Sequence, residues 1–193
     1  MKSYDRSLVN MPNKLADDEY KKKMYSDVLD ENNKVKPRWN TVKENGERVF
    51  RKYLLGLTHG CCAYCGKKIT DYDMDVEHFL PEGKFPYIAY CLDNMLPSCK
   101  YCNQNIKHDF TPKEIKELTI VEDCAKELSQ YDYIYDKNNI LNNLCSKTRL
   151  IEPTFDKVED KLFSSWVGIE SDNNYNEVLT LIIGITNTLY GVE

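Results

Sequence analysis

Apolar side chains recur at helical steps in the first third of the chain and lose that rhythm in the middle. From Pro12 to about Asp30, Leu15, Met24 and Val28 fall on one side, which predicts a helix. Trp39, Val42, Val49, Phe50, Tyr53, Leu54 and Leu57 then recur at three- and four-residue steps, predicting a second helix with a core-facing stripe. In that stripe Trp39 reads as a packing anchor. Residues 58–111 abandon the period and hold most of the turn residues, the clustered cysteines and all three histidines. Thr111-Pro112-Lys113-Glu114 reads as a helix start, with Thr as N-cap, Pro at the first position and Glu three after the cap. Arg149 to Pro153 reads as a loop, Leu162 to Ile169 as a short hairpin, and the apolar run Val178 to Ile185 as a buried helix. The pattern therefore predicts an α+β chain in three zones: a helical N-terminal extension over 1–57, a compact core over 58–111, and a mainly helical C-terminal extension over 112–193.

Composition narrows the class without naming it. A hydrophobic fraction of 41% and a charged fraction of 30% are ordinary for a globular chain. No run approaches the roughly 18 apolar residues of a membrane span, and the start of the chain has no apolar leader, so the expected compartment is the cytoplasm. There the eight cysteines are expected as free thiols or metal ligands rather than disulfides.

The net charge of −5 argues against gripping nucleic acid by bulk electrostatics. The charge is uneven, however: residues 1–57 carry 13 basic against 9 acidic side chains, and residues 113–193 carry 8 against 15. Any contact with a polyanion is expected on Lys34, Lys36, Arg38, Lys43, Arg48, Arg51 and Lys52. A solvated helix face explains the same run equally well.

Cys62-Ala-Tyr-Cys65 and Cys99-Lys-Tyr-Cys102 are two C-x2-C knuckles. A two-residue gap turns both sulfurs of a knuckle toward one ion, and two knuckles complete a tetrahedral four-thiolate site, a closed structural zinc geometry. A thioredoxin-like redox pair competes for one such motif but not for two. Iron suits the same ligands, and Cys61 can replace Cys62 through a three-residue gap. Cys91, Cys124 and Cys145 read as buried small hydrophobes. The metal would hold together the ends of segment 66–98, which is too long to keep its own shape cheaply.

Inside that segment lies Met-Asp-Val-Glu-His-Phe-Leu-Pro, residues 74–81. His78, of a residue type that titrates near neutrality, can take a proton from water, and Glu77 offers hard oxygens to Mg²⁺ or Mn²⁺. On a regular strand the two side chains point to opposite faces, so both cannot reach one ion directly. Asp75 shares a strand face with Glu77 and reads as solvent-exposed or as an additional ligand. His59 reads as structural.

Two knuckles bracketing Val-Glu-His-Phe-Leu-Pro, followed by Leu-Asp-Asn-Met-Leu-Pro-Ser-Cys-Lys-Tyr-Cys-Asn, resemble the HNH endonucleases. The resemblance implies a small ββα-metal core stapled by the four-cysteine zinc site and flanked by helices. It implies that His78 is the general base, that Asn94 holds the loop and orients the histidine backbone, and that Asn103 joins Glu77 on the catalytic ion. A helix N-cap is an equal reading of Asn103. Together with the later Leu-Ile-Glu-Pro-Thr-Phe-Asp, the motifs are similar to the HNH nuclease subunit of Septu-type and retron-associated antiphage defence systems, which works with an SMC-like or ABC-like ATPase. That pattern carries a lysine after the asparagine; Lys107 stands one position later and is the expected substrate contact, with His108 as third ligand of the catalytic ion. The competing class is a non-catalytic zinc module for nucleic acid or protein, which needs the cysteines but not Glu77, His78, Asn94 or Asn103.

Overall fold

A computed structural model describes residues 2–108, 152–155, 157–158, 162–165 and 168–171. The expected helices beginning at Thr111 and at Val178 lie outside these residues. The N-terminal zone is helical, but in shorter pieces than the periodicity predicts. The first helix breaks at Asp17 into α1 (Asn13–Ala16) and α2 (Asp18–Tyr25). Asp17 is extended, and its Oδ1 accepts the Tyr20 N–H at 2.9 Å. A short acidic side chain that caps one helix ends the one before it, whatever the apolar spacing says.

The second predicted helix is likewise split. It becomes α3 (Arg38–Thr41), a hairpin of β1 (Lys43–Glu44) with β2 (Glu47–Arg48), and α4 (Val49–Leu57). The cause is the Asn45-Gly46 pair, at φ 51° and 83°. Two consecutive left-handed residues make the tight hairpin turn that this dipeptide favours. From Val49 onward the stripe is obeyed, with Val49, Phe50, Tyr53, Leu54 and Leu57 all buried. Phe50 is fully enclosed, so its truncation to Ala should cost about 3–5 kcal/mol.

The core is an antiparallel pair, β3 (Met74–His78) and β4 (Met95–Cys99), in the register Met74 with Cys99 through His78 with Met95. A wide helix, Tyr101–Lys107, follows and is wound as a π-helix. It closes with the His108 N–H donating to the Asn103 carbonyl at 2.8 Å. Such windings are uncommon and cluster at functional positions. The strands and this helix form the ββα unit, and α4 packs against β4.

Further along, β5 (Leu162–Ser165) pairs with β6 (Gly168–Ser171) as an antiparallel hairpin. The segment 152–155 is tied to the N-terminus. The Tyr4 N–H donates to the Pro153 carbonyl at 2.8 Å, and Arg6 Nε donates to Thr154 Oγ1 at 3.1 Å. Arg6 Nη2 also donates to the Met95 carbonyl at 2.7 Å, fastening the same clamp to the first residue of β4.

Candidate active site and metal centre

The first knuckle is a turn in which the Gly66 N–H donates to the Cys62 carbonyl at 3.0 Å, with Gly66 at φ 74°. The Ala63 N–H donates to the Pro97 carbonyl at 2.9 Å and docks this turn beside β4, whose last residue is Cys99. Cys102 lies in the first turn of the π-helix. All four cysteines are buried, with their sulfurs within 4.8 Å of one another. Cys65 Sγ and Cys99 Sγ are 3.8 Å apart. Four thiolates each about 2.3 Å from one ion stand about 3.8 Å apart along a tetrahedral edge, so the cluster fits a zinc-sized ion. The four thiols share hydrogen bonds with one another, which lower the Cys62 thiol and raise those of Cys65 and Cys102, so they titrate as one group. Cys61 is half-buried and lies outside the cluster.

The strand alternation separates Glu77 from His78. His78 faces Trp39 and the segment that follows β3; both nitrogens of its ring have partners. Nε2 lies 2.9 Å from the Ala89 carbonyl, which only accepts, so Nε2 carries a proton. Nδ1 is 3.2 Å from a carboxylate oxygen of Glu82. Trp39 meets the ring edge-on, with centroids 4.6 Å apart. Burial acts to raise the Glu82 carboxyl, but the hydrogen bond and charge of His78 outweigh it and bring it down to about 2.

Asn94 is bonded to the segment that leaves β3. Its Oδ1 accepts the Leu80 N–H at 2.8 Å, and its Nδ2 donates to the Leu80 carbonyl at 3.0 Å. The Asn94 carbonyl also accepts the Phe79 N–H at 2.8 Å, so one residue holds the chain directly after His78 by three bonds.

Glu77 points the other way, into a buried group. Its Oε1 accepts the Tyr64 hydroxyl at 2.8 Å and lies 3.1 Å from Lys107 Nζ. Lys107 Nζ also donates to the His78 main-chain carbonyl. Glu77 is 2% exposed, His78 3% and Lys107 3%. Burial raises the Glu77 carboxyl, against the opposing pull of Lys107 and Tyr64. Asn103 has a different partner: its Nδ2 donates to Asp75 Oδ2 at 3.3 Å, beside Gln104 Nε2 at 2.7 Å. Glu77 and Asn103 are therefore not joined around one point.

Glu77 Oε1 already accepts the Tyr64 hydroxyl and lies 3.1 Å from the Lys107 ammonium, which would repel a divalent ion placed on that oxygen. The arrangement does not fit such an ion on Glu77. Among the described residues, the four cysteines are the single group of three or more Cys, His, Asp or Glu gathered within ligand reach. His108 caps the π-helix at φ 43° and belongs to no such group.

Three basic residues of the N-terminal zone, Arg48, Arg51 and Lys52, are paired within the chain. Arg51 is buried, donating to Asp71 Oδ1 at 2.8 Å, Asn40 Oδ1 at 2.9 Å and the Met74 carbonyl at 2.7 Å. Arg48 Nε donates to Asp71 Oδ2 at 3.0 Å, and Lys52 pairs with Glu47. Read from the sequence as phosphate contacts, these residues brace the hairpin and the start of β3. Lys107, expected as a substrate contact, is enclosed.

Sequence reasoning missed Glu82, Tyr64 and Arg6. Glu82 stands four residues after His78, and Tyr64 stands within the first knuckle, but neither position has a periodicity that would have singled it out. Trp39 was read as an anchor, and its contact with the candidate base was not foreseen.

Residues 62–109 match the family model described as HNH endonuclease. The matched span holds the ββα unit, the four-cysteine cluster and His78. It is similar to the Septu protein PtuB of Bacillus thuringiensis, with 30% identity over 127 residues. The alignment covers 64% of this chain and 45% of that protein, so the chain matches less than half the relative's length. No solved structure matches it. No described helix is long and apolar enough to cross a membrane.

Proposed function

We propose that the chain is an endonuclease that hydrolyses phosphodiester bonds in nucleic acid, with His78 as general base. The observation that carries this reading is the way His78 is held. Nε2 is fixed by the Ala89 carbonyl, so Nδ1 is the nitrogen left to take a proton from an attacking water. Glu82 covers Nδ1 in this structure, and its side chain is 38% exposed. Movement of the Glu82 side chain away from the ring opens that nitrogen to water and substrate. Asn94 holds the strand exit, and Lys107 holds the His78 carbonyl. Cys62, Cys65, Cys99 and Cys102 would hold one structural zinc ion, which closes the segment bearing His78.

The similarity to a Septu protein supports a role in bacterial antiphage defence; action in the cytoplasm with an SMC-like or ABC-like ATPase partner is what the resemblance of the motifs implies. The net charge of −5 suits a nuclease that borrows part of its grip on the polyanion from such a partner.

The test is incubation of wild type and His78→Ala with plasmid DNA and with RNA in Mg²⁺ or Mn²⁺. The variant should keep its zinc and fold while losing about 10²–10⁴-fold in cleavage rate. Cutting at the wild-type rate would remove His78 from the mechanism. The burial of His78 favours one second reading, a non-catalytic zinc module; it predicts binding without cleavage in wild type and variant alike.

A further inference from the structure

We propose that Lys107 is the resident cation of Glu77, so that this glutamate anchors the His78 end of β3 instead of binding a divalent ion. The proposal rests on reading His78 as the base, but its test does not require cleavage to be observed.

Three observations carry it. First, the Glu77 carboxylate and the Lys107 ammonium form an enclosed pair 3.1 Å apart, each side chain 2% exposed. A buried charge must be matched, and here the chain matches it with its own ammonium. Second, the same ammonium donates to the His78 carbonyl, so the pair is wired to the backbone of the candidate base rather than standing apart from it. Third, the Tyr64 hydroxyl donates to the same carboxylate oxygen that faces Lys107, and Tyr64 is itself fully buried between the two cysteines of the first knuckle. The sulfur cluster, Glu77 and the His78 backbone thus form one connected unit.

The course of the helix brings Lys107 there. The helix begins beside Asp75, which accepts from Asn103 and Gln104, and runs back along β3 until Lys107 stands at Glu77. The amide expected beside Glu77 stays at the far end of the strand, and a cation takes the near end. Lys107 is a positioning residue: it reaches the backbone of His78, not its ring.

If Lys107 and a divalent ion compete for one carboxylate, removing the lysine should improve metal binding. Mn²⁺ binding to the zinc-loaded full chain is measured by electron paramagnetic resonance for wild type, Glu77→Gln, Lys107→Met and the Glu77→Gln/Lys107→Met double variant. Zinc content and melting are followed in parallel. The expected result is that Glu77→Gln binds Mn²⁺ within twofold of wild type. Lys107→Met should bind it at least tenfold more tightly, and the double variant should return to the wild-type level. A tenfold or larger loss of Mn²⁺ binding in Glu77→Gln would overturn the proposal, as would a folded Lys107→Met with unchanged or weaker binding. Where Lys107→Met fails to fold, the Glu77→Gln comparison decides alone. Loss of cleavage in every preparation would count against the nuclease reading and leave these Mn²⁺ results interpretable.

Discussion

The carboxylate of Glu82 lies 3.2 Å from Nδ1 of His78, one turn of chain beyond the strand that carries the histidine. The contact lowers the Glu82 carboxyl to about 2, below its ordinary value of 4.5. A carboxyl depressed by folding adds stability that is fully present above about pH 4.5 and is lost as the pH falls towards 2. Urea denaturation between pH 5 and pH 2 should therefore show a steep acid limb in wild type, and Glu82→Gln should flatten it. Superimposable acid limbs would mean that the Glu82 contact contributes nothing in solution.

Asn94 supports the strand exit through both functions of its amide. Asn94→Ala leaves the buried N–H and carbonyl of Leu80 without these partners and should cost roughly 2–4 kcal/mol. Asn94→Asp should cost nearly as much, since a carboxylate can accept from the Leu80 N–H but cannot donate to its carbonyl. Chemical denaturation measures the loss. Cleavage by the folded fraction should fall as well, because the segment that holds His78 in place is no longer fastened.

The four-cysteine cluster is expected to bind one zinc ion per chain, measurable by elemental analysis. A strong chelator, or Cys99→Ser, should remove the ion and unfold the region between the knuckles, read by near-ultraviolet circular dichroism. A metal-free chain with native spectra would show that hydrophobic packing alone closes the segment. Elemental analysis also decides between zinc and iron.

Arg51 and Lys52 should separate sharply despite standing side by side. Arg51→Met removes a buried cation from Asp71, Asn40 and the Met74 carbonyl, and should cost about 2–4 kcal/mol, less than a fully enclosed pair because Asp71 is partly exposed. Lys52→Met, on the surface, should change stability by less than about 1 kcal/mol. Nucleic-acid affinity of folded Arg51→Met, measured by fluorescence anisotropy, should match wild type. A large affinity loss would restore the phosphate-contact reading of this arginine.

Much of the core was legible before any coordinates. Two C-x2-C knuckles demand convergence on one point, and the four sulfurs do converge. Helix boundaries were less legible. The apolar stripe from Trp39 to Leu57 continues across Asn45-Gly46, and its period does not register that these two residues turn the chain into a hairpin. Asp17 hides in the same way, because a cap is a local hydrogen bond and leaves no mark on the spacing of apolar residues.

Partner choice among the charged residues was beyond the reach of pattern. Glu77 next to His78 reads as a metal ligand beside a base, and Arg48, Arg51 and Lys52 read as a basic run. Ligand spacing, strand alternation and the order of the motifs follow from covalent geometry and chain order, so sequence alone carries them. That Lys107 meets Glu77, that Glu82 meets His78 and that Asp71 claims two arginines depend on how the π-helix winds back along β3 and how the segments between elements fold over it. Those distances arise only when burial forces each charge to find a partner among whatever the packing has brought near.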